Sequence, residues 1–259
     1  MEQEGFLVQI DATPYEWWNE EKACLHGAID DATGKILSLH FEPTECMDGY
    51  FIMLTNLVTK HGIPLAIYAD RHTIFQAPSK EKHSIDDELA GKPVPLSQFE
   101  AAVALLGSKL IAAGSPQAKG RIERLWNTLQ SRLAAELRLH KRTSIEAANA
   151  FLPAFIARFN RKFAVTPKSK GKAYLPRPKA SSLKYILCAK YTRHADRGAC
   201  FSFRNVKYQL MDKGKPLPVE HGTCITVLLP VNGMLKASVN SVIYSVRNLD
   251  SASSLAWIS

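Results

Sequence analysis

Phe6-Leu-Val-Gln-Ile-Asp-Ala12 reads as a β-strand carrying a carboxylate, Asp11, at its end, and Leu65-Ala-Ile-Tyr-Ala-Asp70 as a second apolar strand closed by Asp70. Between them, Ala23 to Asp30 and Lys35 to Phe41 are expected to form a hairpin, with Asp31-Ala-Thr-Gly34 supplying the turn chemistry. Thr44 offers a helix cap, with Glu45 and Asp48 near the positive end of the helix dipole. Met47, Phe51, Leu54 and Val58 share one face of that helix, which is expected to run to Lys60. His61-Gly-Ile-Pro64 stops it, with glycine at the C-terminal position and proline just beyond. The element order is therefore βββαβ, an α/β arrangement with an aspartate on the first and fourth strands.

A third acid lies in Ser115-Pro-Gln-Ala-Lys-Gly-Arg-Ile-Glu-Arg-Leu-Trp126, where a polar stretch turns into an amphipathic helix carrying Glu123. Ile122, Leu125, Trp126, Leu129, Leu133 and Leu137 follow the 3.6 period as its buried face, and Trp126 reads as core. Lys119, Glu123, Asn127 and Gln130 form a polar stripe beside it. The three acids are separated by 70−11−1 = 58 and 123−70−1 = 52 residues, so nothing local couples them. A shared metal site would, because carboxylates are hard oxygen ligands of the kind that hold Mg²⁺. Taken singly, each acid has an ordinary explanation. An aspartate ending a strand is commonly a turn former or cap. Glu123 four residues after Lys119 reads as an exposed ion pair contributing roughly 0.2–0.5 kcal/mol. The conjunction points to catalysis.

At these residues the chain resembles the DDE integrase-like transposases of bacterial insertion sequences, relatives of retroviral integrase, and Ser115 to Trp126 is the most specific segment. The resemblance implies a ribonuclease H-like mixed five-stranded sheet with helices, followed by a small all-β barrel. It implies Asp11, Asp70 and Glu123 as catalytic, metal-ligating residues for two Mg²⁺ (or Mn²⁺) ions. Such ions activate water or a 3′-hydroxyl and stabilise the leaving oxygen of a phosphodiester, for strand cleavage and then strand transfer. The implied partners are DNA, as element ends and as target, and further copies of the chain assembled on it. Lys119, Arg121 and Arg124 are expected to touch phosphates near the scissile bond, which positions DNA without reading its sequence. These transposases carry an N-terminal helix-turn-helix, and no recognition-helix pattern precedes Asp11. The expectation is a fragment, or end recognition by another chain. Two other readings stay open: a ribonuclease H-like nuclease, and a non-catalytic DNA-binding remnant.

Charge is unevenly spread. Residues 1–95 carry 7 Lys+Arg and 16 Asp+Glu, net −9, and residues 96–259 carry 26 and 8, net +18. Such asymmetry points to nucleic acid. A cationic surface facing an acidic protein has the same signature. The five cysteines are scattered without a Cys-x-x-Cys pair, which suits reduced thiols in a bacterial cytoplasmic, nucleoid-associated protein. No uninterrupted run of 18 apolar residues suggests a membrane span.

The remaining chain divides by composition. Residues 71–96 read as a mobile loop beside the site, Ser97-Gln-Phe-Glu100 as a capping box opening a helix to Leu106, and Lys109 to Ala113 as a fifth strand. A turn is expected over Gly114-Ser-Pro-Gln117 and a closing helix from Ser144 to Phe163. The expected domains are a catalytic core over 1–163, a basic linker over 164–184 and a barrel over 185–259. The linker holds Lys168, Lys170 and Lys172 as candidate phosphate contacts, and residues 158–197 contain 12 Lys+Arg against one acid, Asp196. Tyr185 to Ala195, Ala199 to Leu210, Thr223 to Leu229 and Leu235 to Arg247 read as short strands separated by glycine-containing turns.

Overall fold

A computed structural model of the chain describes residues 3–18, 22–70, 74–75, 96–112 and 120–250. The chain divides into two compact units, Met1–Leu187 and Cys188–Ser259. The loop expected over 71–96, apart from residues 74, 75 and 96, lies outside the described residues, as does the turn expected over 114–117.

The first unit contains β1 (Leu7–Tyr15), β2 (Ala23–Asp30), β3 (Ile36–Glu42), α1 (Met47–His61), β4 (Ala66–Ala69), α2 (Gln98–Leu105) and β5 (Lys109–Ala112). Helices α3 (Gly120–Leu139), α4 (Ile145–Phe163) and α5 (Ala180–Ile186) follow. The strands form one sheet in the order β3-β2-β1-β4-β5, antiparallel from β3 to β1 and parallel from β1 to β5. This is the ribonuclease H-like sheet. Strand β2 is buried at all eight positions, because helices cover both of its faces. Ala23, Leu25 and Ile29 pack with α3 and α4, while His26 on the other face meets Gly49 and Tyr50 of α1.

Helix α1 starts later than its sequence suggests. Cys46, not Thr44, is the cap, and its Sγ accepts the Gly49 N–H at 3.4 Å. The Cys46 N–H in turn donates to His26 Nε2 at 3.2 Å, so contact with β2 sets where the helix begins. Ser97 caps α2 as its capping-box pattern predicts, accepting the Glu100 N–H at 3.0 Å.

Strand β3 is an edge, and two asparagines of α4 close it. Asn149 Oδ1 accepts the Phe41 N–H at 2.8 Å and its Nδ2 donates to the Phe41 carbonyl at 3.0 Å. Asn160 treats Ile36 in the same way, at 2.8 Å for both bonds. The spacings match: eleven helical residues and five strand residues both span about 16.5 Å. Each amide presents one donor and one acceptor, as a neighbouring strand would, which blunts an edge otherwise open to pairing.

The segment expected as a linker is held against the first unit. Val165 N–H donates to Thr33 O at 2.9 Å, Ala173 N–H to Glu4 O at 2.8 Å, and Ile63 and Leu175 exchange two backbone bonds. Arg177 Nη1 donates to Thr59 O at 2.6 Å. Residues 180–186 form α5 with Leu183 buried, where a strand was expected from Tyr185, so the boundary between units falls after Leu187. A Lys/Pro/Ser/Gly composition reports only that the segment makes no helix. The backbone groups of Glu4 and Ile63 that it bonds decide where it lies.

The second unit holds β6 (Ala189–His194), β7 (Cys200–Phe203), β8 (Val206–Asp212), β9 (Lys215–Pro216), β10 (Cys224–Leu229), β11 (Lys236–Val239) and β12 (Val242–Asn248). The antiparallel order is β6-β10-β11-β12-β8-β7, with β9 on β8. The two ends of that order approach each other, making the sheet a nearly closed barrel. Tyr191 of β6 packs on Phe203 of β7 at 5.1 Å, and Arg193 Nε donates to Ser202 O at 3.1 Å. Two stretches read as single strands are hairpins, turning at Arg204-Asn205 and Asn240-Ser241. All four of these residues have positive φ, and no glycine marks either turn.

Replacing Asn149 or Asn160 by Ala leaves an N–H and a C=O of β3 without partners. Each change should lower stability by about 1–3 kcal/mol, read from urea midpoints at constant m. The Asn160→Asp variant keeps the acceptor, and should retain part of the loss.

Candidate active site

Helix α3 is docked on β1 by three polar rungs. Gln9 Oε1 accepts the Ile122 N–H at 3.2 Å, Asp11 Oδ2 accepts the Trp126 indole N–H at 3.0 Å, and Gln130 Nε2 donates to Thr13 Oγ1 at 3.3 Å. The rungs advance two residues on the strand and four on the helix, about 6.7 and 6.0 Å, so helix and strand stay in phase. Below α3 the buried face is Ile122, Leu125, Trp126, Leu129, Leu133, Ala134 and Leu137. Trp126 is thus core, and it also orients a carboxylate. Its ring lies over Gly27, which pairs with Asp11 across the β1–β2 ladder. A Cβ on Gly27 would stand 2.5 Å from the indole, so only glycine admits the ring there.

Asp70 follows β4 directly, and the parallel pairing of β4 with β1 places it. Gln9 is opposite Tyr68, and 68−9 = 70−11 = 59, so carrying the register on by two residues sets Asp70 level with Asp11. Equal parity puts both on one sheet face, and neighbouring strands lie about 4.8 Å apart. Both aspartates also act electrostatically on Tyr50 of α1. Burial first, then the negative field of Glu45, Asp11 and Asp70, pushes this phenol far above its ordinary range. Tyr50 therefore stays protonated, and its hydroxyl donates to Glu45 Oε1 at 2.8 Å. Its ring packs on His26 and Phe75 at 4.8 Å each, which anchors the chain five residues past Asp70.

Glu123 is exposed on α3, between the first and second rungs. Among the described residues, no group of three or more His, Cys, Asp or Glu is gathered tightly enough to hold a metal ion. The structure thus brings Asp11 and Asp70 level and puts Glu123 on the helix bonded to Asp11, without closing the three into one cluster. Cysteine chemistry does not enter. Burial, with Glu45, Cys46 and Asp11 adding to it, pushes the Cys24 thiol up to about 12.

The candidate phosphate contacts differ in availability. Arg124, Lys168 and Lys170 are exposed. Arg121 Nε lies 3.6 Å from Asp31 Oδ1, and Lys172 Nζ 3.8 Å from the buried Glu4 carboxylate. Lys119 lies outside the described residues. Sequence reading passed over Gln9, Tyr50 and Glu45. Gln9 carried a usable signal, a polar residue inside an apolar strand, and it is 2 % exposed. Nothing local marked Tyr50, and Glu45 carried only its place near the helix dipole, since the field on Tyr50 comes partly from two distant aspartates.

No protein-family model matches the chain. It is 35% identical over 245 residues to a transposase for insertion sequence IS1202 of Streptococcus pneumoniae, covering 95% of this chain and 51% of that protein. It is 36% identical over 209 residues to the putative transposase y4bF of Sinorhizobium fredii, covering 80% of this chain and 44% of that protein. The chain thus spans about half the length of the curated relatives it matches. Among solved structures, the HTLV-2 integrase catalytic core domain in complex with magnesium matches with TM-score 0.43 and 16% identity, over 64% of this chain and 94% of that one. A chain of the simian T-cell lymphotropic virus intasome in complex with PP2A regulatory subunit B56 gamma gives TM-score 0.46 and 15% identity, over 92% and 80%. The fold assignment rests on the strand order and register described above.

The buried His26 beneath this site makes stability pH-dependent. Burial lowers its pKa from 6.5 to about 4, so the folded state keeps it neutral while the unfolded chain protonates near 6.5. Between those values the unfolded state binds more protons, and stability falls as pH drops from about 6.5 to 4, by up to about 3 kcal/mol. Urea melts at pH 7.5 and 4.5 should show this loss, and His26→Gln should remove most of it. His61, lowered mainly by burial, adds a loss of the same sign that the variant keeps. Separately, Trp126→Phe should cost about 1–2 kcal/mol by removing the indole hydrogen bond to the Asp11 carboxylate.

Proposed function

Since the chain is a homologue of insertion-sequence transposases, we propose that its first unit is a DDE polynucleotidyl transferase core, with Asp11, Asp70 and Glu123 as catalytic carboxylates. The observation that supports this reading is the parallel β1–β4 register, which carried on by two residues sets Asp70, just past β4, level with Asp11 of β1, together with the bond from Trp126 of the Glu123 helix to Asp11. Identity to transposases along 95% of the chain favours this over a ribonuclease H-like nuclease.

The donor set suits a hard dication: oxygen ligands, with neither imidazole nor thiolate in the proposed set. Asp11, Asp70 and Glu123 would hold Mg²⁺ or Mn²⁺, as two ions, and the bound metal would supply nucleophile activation and leaving-group stabilisation. The chain's own residues do the rest. Trp126 fixes the Asp11 carboxylate through its indole N–H. Tyr50, held protonated, donates to one oxygen of Glu45 and holds that carboxylate against the start of α1. The exposed Glu123 side chain is not confined by packing and can turn toward the aspartate pair. Arg124, Lys168 and Lys170, with Lys119, neutralise backbone phosphates, and Arg121 and Lys172 do so at the expense of their Asp31 and Glu4 pairs.

The substrates on this reading are element ends and target DNA, bound by several copies of the chain. The barrel unit assists DNA binding or assembly. The setting is the bacterial nucleoid. Among the described residues no helix is long and apolar enough to cross a membrane.

Asp11→Asn and Asp70→Asn should each abolish Mn²⁺-dependent nicking of end-containing duplex while leaving DNA affinity equal or higher. Normal nicking by either variant would refute the assignment. Affinity for random duplex should fall with salt at a log–log slope steeper than about −4, given five or more phosphate contacts. Replacing Lys168, Lys170 and Lys172 together by Ala should flatten that slope by up to about 3, with Lys172 contributing least.

A further inference from the structure

Helices α3 and α4 meet along a second face that the proposed catalytic chemistry does not use. A cleft of about 190 Å³ lies there, lined by Arg132, Glu136, Arg158, Phe159, Lys162 and Phe163 among others. Arg132 comes nine residues after Glu123, and at 100° per residue it stands about 180° around α3 from that glutamate. The cleft thus opens on the side of the helix away from the proposed active site.

Its charges are arranged rather than scattered. Arg132 Cζ lies 4.8 Å from the centroid of the Phe163 ring, and Lys162 Nζ lies 5.6 Å from the same centroid. Arg158 sits over Phe151 at 5.4 Å and pairs with Glu136 at 2.5 Å. Three cations therefore line the cleft against one carboxylate, and that carboxylate is taken by Arg158. Phe163 is 38 % exposed, and its neighbour Phe159 packs on it at 4.7 Å, so the ring is backed by the aromatic row of α4. An exposed cation–π contact is weak; it orients a cation but does not neutralise it. Two like charges over one ring repel, and an anion between them would offset that repulsion.

We propose that this cleft is a second DNA-contact site, in which Arg132 and Lys162 grip backbone phosphate of duplex DNA on the face opposite Glu123. The proposal rests on the reading that the chain acts on DNA. Arg132 offers a planar fork suited to two phosphate oxygens, and Lys162 a compact point charge. The Phe163 ring lies within cation–π range of both and orients them. Contacts of this kind position a duplex and read no sequence. A core with phosphate-binding residues on opposite sides of α3 can hold two DNA segments at once.

The test uses the full chain and a random duplex, with anisotropy titrations at several salt concentrations. Arg132→Gln with Lys162→Gln should flatten the log–log salt slope by about 1.8, two contacts at 0.9 each. Phe163→Leu keeps both charges, and should weaken binding several-fold with little change in slope. Both Gln substitutions are at exposed positions, and an unchanged thermal melt will show that the helices remain packed. An unchanged slope in the double variant, with the parent chain still binding, overturns the second site alone. Absence of salt-dependent binding by the parent chain overturns this proposal and the DNA reading together. If the slope is unchanged but retention on polyglutamate is lost, the face belongs to an acidic protein, and the proposal fails.

Discussion

Four residues of α-helix and two of β-strand advance by nearly the same distance, and the first unit is organised around that coincidence. Gln9, Asp11 and Thr13 meet Ile122, Trp126 and Gln130 rung by rung, which fixes α3 against β1 in both translation and rotation. A slip by one residue would turn every one of these side chains to the wrong face. The rotation then decides what each side of α3 does. Its apolar face fills the core with α4, Glu123 is exposed one turn before the Trp126 that bonds Asp11, and Arg132 lines the cleft on the far side. Gly27 is a condition of this docking, since the indole occupies the space a Cβ would need.

Elsewhere, polar side chains take the place of missing strands. Asn149 and Asn160 complete the β3 edge of the first unit, and the Arg193 guanidinium bridges β6 to β7 in the second. An edge satisfied by side chains avoids the exposed row of N–H and C=O groups that templates association. The backbone of residues 173–175 does a similar job at Glu4 and Ile63. Residues with strand-like hydrogen bonding thus arise from a stretch whose composition announces only charge and proline.

The acidic character of the first 95 residues is partly structural. Asp30, fully buried, accepts bonds from the Gly5 N–H and from the Thr33 N–H and hydroxyl. Glu4 pairs with Lys35 at 2.6 Å, and Asp31 accepts from Gln9 while facing Arg121. These carboxylates spend their charge inside the fold. Asp11 and Asp70 belong to another group, whose shared field is felt at Tyr50. Charge bookkeeping along the chain could not separate the two groups, because the difference is one of neighbours, not of count.

From the sequence alone, the strand–hairpin–helix–strand order, the stop at Gly62, the Ser97 cap and the buried stripe of α3 were legible, each being set by residues within a few positions of one another. The ribonuclease H-like sheet followed from that order, and the two aspartates stood out because each follows an apolar run. Asp70 does close β4, but β1 continues four residues past Asp11 to Tyr15, held by its pairing with β2. The cap at Cys46 was not legible, since His26 on β2 decides it. Nor were the hairpins at Arg204-Asn205 and Asn240-Ser241, where each turn pairs one asparagine, tolerant of positive φ, with an Arg or Ser that does not favour it. The asparagine clamps, the lie of residues 165–177 and the double duty of Trp126 all join positions far apart in the chain. Local pattern reports periodicity and turn chemistry. Only the folded chain reports which distant group satisfies a given donor, acceptor or charge.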